Sequence, residues 1–159
     1  IVPRIYQAAL GKDLNEIIAD SSAGNLRGLY SQSIGAPDNY IRVKDAHGMT
    51  LGQIEQVIES MNPCVVVFDM VANIRLGRAN GGGNKADEVE QLWQGTRELA
   101  VIHDYIALGT IQISAEGDDQ LYPSYSALKD SKTAAQGAVD IIIMLGSMNN
   151  PALQNLFSP

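Results

Sequence analysis

Residues 63 to 69, Pro-Cys-Val-Val-Val-Phe-Asp, constrain the fold more than any other stretch of the chain. A β-branched apolar run with no polar alternation has no face to give to water, so it reads as a buried strand of a parallel sheet. The run closes on one carboxylate, Asp69. At the C-terminal end of such a strand a side chain looks into the crevice where open α/β sheets take their ligands. The plainer alternative is an Asp that caps the following turn.

The rest of the chain supplies the partners such a strand needs. Apolar residues at helical spacing (Ile5, Ala8, Ala9; Leu14, Ile17, Ile18) predict short helices over 2–10 and 13–20, and a third over 26–33. A short strand is expected at Tyr40 to Val43, after the turn residues Gly35 to Asn39. Leu51, Ile54, Val57 and Ile58 mark one face of a helix that ends near Asn62. Residues 74–85 are rich in glycine and read as irregular, before Val89, Leu92, Trp93, Thr96, Leu99 and Ala100 trace a long helix with Trp93 in the core. Further strands are expected at 109–114 and at Val139 to Leu145. Alternating strands and helices predict an α/β fold: one domain over 1–159, with a mostly parallel sheet and helices on both faces. The long connections 70–85 and 115–135 leave the edge of the sheet where Asp69 lies, and read as functional or mobile loops.

Composition narrows the function classes. The 159 residues are 45% hydrophobic and carry a net charge of -7, so there is a real core and no global basic field to attract nucleic acid. Any nucleic-acid contact must come from a local patch. A single cysteine, Cys64, excludes an internal disulfide framework, reads as a small core residue and suggests a reducing compartment. No apolar stretch approaches the roughly 18 to 20 residues of a membrane span, so a cytoplasmic protein without membrane contact is expected. His47 and His103 lack the spacing to Cys or acidic residues that metal ligands show, and read as ordinary histidines.

Taken in order, several segments resemble the RecA-like ATPase core of hexameric replicative DNA helicases, of the DnaB and bacteriophage primase-helicase type. Pro63 to Asp69 is similar to the Walker B strand, and Leu92 to Ala100 to the long helix after it. Thr110-Ile-Gln-Ile-Ser114 resembles the strand that carries a polar sensor. Leu128-Lys-Asp-Ser-Lys132, with Gln136 and Asp140 to Leu145, resembles a later segment of the same core. The likeness covers about residues 40 to 146.

The resemblance implies a partial RecA-like P-loop NTPase fold and a parent that couples ATP hydrolysis to movement along single-stranded DNA. Asp69 would help hold the Mg²⁺ that bridges the β- and γ-phosphates of ATP. Gln112 would be the sensor; its amide, in an otherwise apolar strand, needs a partner, which is either phosphate or a neighbouring backbone group. Arg75, Arg78, Lys129 and Lys132 are the cations available to DNA phosphates, against the plainer reading of solvated surface charge. The parent is expected to assemble as a ring, a hexamer by the resemblance.

Departures from the pattern matter too. No G-x-x-x-x-G-K-[ST] loop occurs among the 159 residues, so the part that cradles phosphates is expected before Ile1, and the chain reads as an inactive fragment of a motor. Lys132 stands where the family has Gly, which favours a divergent member, with a bacteriophage source as one reading. Two alternatives remain open: another RecA-like ATPase (a recombinase or KaiC-like regulator), or a non-catalytic interaction module that has lost the phosphate loop.

Overall fold

The computed structural model describes residues 2–77, 85–117, 120, 122–128 and 137–146. The chain divides into two compact units, Ile1–Asp45 and Ala46–Pro159.

In the first unit three helices, α1 (Val2–Leu10), α2 (Leu14–Ser22) and α3 (Leu26–Ile34), pack against one another. Helix α2 begins with a reciprocal cap: Glu16 N donates to Asp13 Oδ1 and Asp13 N donates to Glu16 Oε2, each at 2.9 Å. Two otherwise orphaned amides are satisfied in this way. Ile17 and Tyr30 are buried, and Tyr6 meets Tyr30 edge-on with ring centroids 4.9 Å apart. The strand expected at Tyr40 to Val43 does not form, and Tyr40, Ile41 and Val43 are exposed. A lone extended segment has no ladder to join, because this unit contains no strand among its described residues.

The second unit holds the sheet. Helix α4 (Leu51–Met61) is capped at its start by Thr50 and Gln53 and leads through Asn62 (φ 44°) into strand β1, Val65–Phe68. Helix α5 (Lys85–Ile102) returns the chain to strand β2, Ile106–Gly109, which pairs parallel with β1 from Val65↔Ile106 to Phe68↔Gly109. This α/β unit thus has the expected parallel pairing, in a sheet of two strands among the described residues.

Its core lies on one face of that sheet. Ile54 and Ile58 of α4, Val89, Leu92, Trp93 and Leu99 of α5, and Phe68, Val71, Ile74 and Tyr105 form one buried cluster. Two glycines permit the close approaches. A Cβ at Gly95 would strike the Leu51 side chain, and one at Gly109 would sit 2.6 Å from the Trp93 ring.

The opposite face differs from expectation. Val65, Val67, Ile106 and Leu108 lie side by side on it and are 48 to 63% exposed, so the described helices cover one face rather than both. Three further expectations are corrected. The strand placed at 109–114 is Ile106–Gly109, and the chain leaves the ladder after Thr110. Residues 139–146 form no strand; Ile141, Ile143 and Leu145 are about four-fifths exposed, since an apolar run makes a strand only beside another one. Cys64 is exposed, at the turn before β1, rather than in the core.

Candidate functional site

Parallel pairing brings the C-terminal ends of β1 and β2 to one edge. Asp69 is the first residue beyond β1 and Thr110 the first beyond β2. Thr110 N donates to Phe68 O at 3.0 Å, extending the ladder by one step, and the Thr110 hydroxyl then donates to Asp69 Oδ1 at 2.7 Å. A charge-assisted hydrogen bond of that length fixes the carboxylate against rotation. Both residues are exposed, and the peptide bond after Asp69 is cis. Gly109 matters here indirectly: lacking a Cβ, it lets Trp93 lie beneath the strand end that carries Thr110.

The segment after Asp69 is described as far as Gly77 and turns back onto the start of α4. Val71–Asn73 forms a 3-10 turn, Val71 is fully buried, and Arg75 then pairs with the chain before α4: Arg75 N donates to Met49 O and Leu51 N donates to Arg75 O, both at 3.0 Å. Because α4 leads straight into β1, its N-terminus returns toward the edge where β1 ends. Arg75 is anchored by its backbone while its side chain is exposed, with the guanidinium lying over Gly48.

Gln112 stands differently from the expectation of a buried strand amide. It lies three residues beyond β2 and is exposed, so its amide is free to meet water and does not need a buried partner. The chain around it is held by a short antiparallel contact: Ile113 bridges Leu128, Ser114 N donates to Ala127 O at 2.6 Å, and Ala127 and Leu128 are almost fully buried. Arg78, Lys129, Lys132 and Gln136 lie outside the described residues. At the far side, Arg97 of α5 donates to Ala138 O and to Asp140 Oδ1, each at 2.9 Å, and so ties the next extended segment to the helix.

Thr110 is the residue of this candidate site to which sequence reasoning gave no role. The signal was available in principle: a hydroxyl one step beyond a strand parallel to the one ending in Asp69. It depends on the register of β2, which the sequence alone placed several residues too late. A groove elsewhere, lined by Leu51, Leu76, Asp87, Glu90, Gln91 and Glu98, is acidic and unsuited to phosphate. Fixed on one oxygen and solvent-exposed, the Asp69 carboxylate fits a hard divalent cation that keeps most of its waters, as Mg²⁺ does.

No family model matches the chain, and no curated protein matches it. Among solved structures, it is similar to a DnaB-like replicative helicase whose structure was described together with its interactions with primase. The TM-score is 0.65 at 19% identity, over 87% of this chain and 35% of the helicase chain. At that identity the likeness is one of fold, shared with about a third of the helicase's length.

Proposed function

We propose that this chain is the central part of a RecA-like motor domain whose parent is an ATP-dependent replicative DNA helicase. The observation that carries the reading is the Asp69–Thr110 pair at the shared C-terminal edge of two parallel strands, in a fold similar to part of a DnaB-like helicase. Open α/β sheets bind ligands at that edge. The uncovered apolar face of Val65, Val67, Ile106 and Leu108 fits a sheet that continues into further strands and a second covering layer.

In this reading Asp69 orients the Mg²⁺ that accompanies ATP, directly or through a water, and Thr110 keeps that carboxylate aimed. When bound, the metal neutralises charge developing between the β- and γ-phosphates. Gln112, on the loop just beyond, reports the state of the nucleotide to the segments that follow. Arg75, Arg78, Lys129 and Lys132 contact the phosphates of single-stranded DNA, which suits a motor that must act on any sequence. No phosphate loop occurs in these residues, so the triphosphate is cradled by a segment beyond them. The complete protein works as a ring, a hexamer in our reading, because a site of this kind is finished by a neighbouring subunit.

The test is made on the whole product of the reading frame. Its sequence should contain G-x-x-x-x-G-K-[ST] upstream of Ile1, and the purified protein should hydrolyse ATP with Mg²⁺, faster with single-stranded DNA, and unwind a forked duplex. A reading frame without that loop, or a protein that binds partners but hydrolyses nothing, would replace the motor by an interaction module of the same fold. Hydrolysis without DNA stimulation would point to a RecA-like ATPase of another kind.

A further inference from the structure

The opposite edge of the sheet holds a second constellation. Glu55 and Glu59 lie one turn apart on α4, and His103 sits in the turn after α5; one ligand atom from each falls within 4.8 Å of the others. The closest pair is His103 Nε2 and Glu55 Oε1 at 3.3 Å. The fold holds these groups from both sides. Ile54 and Ile58, next to the two carboxylates in sequence, are buried in the core and fix the rotation of α4. His103 N donates to Leu99 O and Tyr105 N donates to Ala100 O, which fixes the turn.

From this geometry we infer that Glu55, Glu59 and His103 form a binding site for a divalent transition metal ion of the zinc class, linking α4 to the α5–β2 turn. Two carboxylates at i and i+4 repel one another on a helix and favour a cation between them. One imidazole with two carboxylates is a donor set for zinc and its neighbours rather than for Mg²⁺ or Ca²⁺, which take oxygen alone. Metal–ligand bonds of about 2.0–2.2 Å at tetrahedral angles require the ligand atoms to close by up to about 1.4 Å, a change the exposed Glu59 side chain can make by rotation. Three protein ligands leave a fourth position for water.

An independent feature points to the same place. Tyr105 is only 7% exposed, and its hydroxyl is buried with no hydrogen-bond partner among the described residues. The Glu55 charge is the one that acts on it. A buried, unpaired hydroxyl beside Glu55 can donate to a metal-bound water or to a ligand oxygen, the supporting role that outer partners of metal sites fill. Tyr105 precedes β2 and Cys64 precedes β1, with Ile106 N donating to Cys64 O at 2.9 Å, so this edge is the one away from Asp69. The site is therefore a structural link and is independent of the nucleotide reading.

The experiment is titration of the metal-free whole protein with Zn²⁺, and with Co²⁺ as a spectroscopic probe, by calorimetry and visible absorption. One ion is expected per chain from this site, with a Co²⁺ band of four-coordinate intensity and a higher melting temperature on Zn²⁺ addition. His103→Gln and Glu59→Gln should each weaken Zn²⁺ affinity at least about 100-fold, and Tyr105→Phe about 10-fold. His47→Gln and Asp69→Asn should leave it unchanged. If His103→Gln and Glu59→Gln, both folded by circular dichroism, bind Zn²⁺ as the parent does, or if the parent binds none, the site does not exist and Glu55–His103 is only an ion pair.

Discussion

The two edges of the small parallel sheet are built from the same elements and carry different chemistry. At the C-terminal edge one carboxylate, Asp69, is held by one hydroxyl at 2.7 Å, and both are open to solvent. At the N-terminal edge two carboxylates and an imidazole converge beside a buried phenol that has no hydrogen-bond partner among the described residues. An open, lightly held carboxylate suits a cation that arrives and leaves with a nucleotide. A crowded cluster backed by a buried donor suits an ion that stays. The difference follows from where side chains project: strand ends release residues into a crevice, whereas the helix–turn junction presses them together.

The support common to both edges is the layer beneath the sheet, so the largest effect should come from removing it. Trp93→Ala deletes the ring that lies under Gly109 and packs with Phe68, Val71 and Tyr105. It should cost about 3–5 kcal/mol in urea unfolding and weaken ligand binding at both edges together. Loss at one edge alone would show that the two are supported separately.

The second prediction separates the edges by pH. Burial raises the Tyr105 hydroxyl to about 12, above its ordinary value near 10, so the folded state keeps a proton that the unfolded chain releases. The associated stability is fully present below about pH 10 and is lost as pH rises toward 12, a swing of no more than about 2–3 kcal/mol. Tyr105→Phe should remove this part of the alkaline slope, while Thr110→Val should not alter it.

Thr110→Val sharpens the other side. It removes the hydrogen bond to Asp69 while keeping the shape, and it should raise the Mg²⁺ concentration that half-saturates ATP hydrolysis by about 10-fold, with little change in melting temperature. The smallest effect is expected from Arg75→Ala. Its exposed guanidinium is one of several cations, so affinity for single-stranded DNA should fall less than about 10-fold, and the salt slope should drop by about one.

What the sequence made legible follows physical lines. Helices α1 to α5 and strand β1 were readable because their signals are local: the Ile54–Ile58 spacing, the Val65–Phe68 run, the pattern from Val89 to Leu99. Strand β2 was misplaced because Ile106 to Gly109 and Thr110 to Ser114 are both apolar enough to pair, and only the ladder to β1 decides between them. The segments at 40–43 and 139–145 show the converse, strand-like sequences without a neighbour to complete them. Asp69 stood out because it ends its own strand, whereas Thr110, which holds it, comes from 41 positions away. The Glu55–Glu59–His103 group was invisible for the same reason: His103 lies 48 positions from Glu55, and no spacing rule joins them.

The central claim is that Asp69 marks a metal–nucleotide site, and the most direct measurement is ATP hydrolysis by the whole protein carrying Asp69→Asn, across a Mg²⁺ titration. The account predicts a fall in kcat of at least about 100-fold, a loss of some 3 kcal/mol of transition-state stabilisation, with the fold and Zn²⁺ binding intact. Hydrolysis at the parent's rate and the parent's Mg²⁺ dependence would contradict it, and Asp69 would then be a turn residue at the end of a strand.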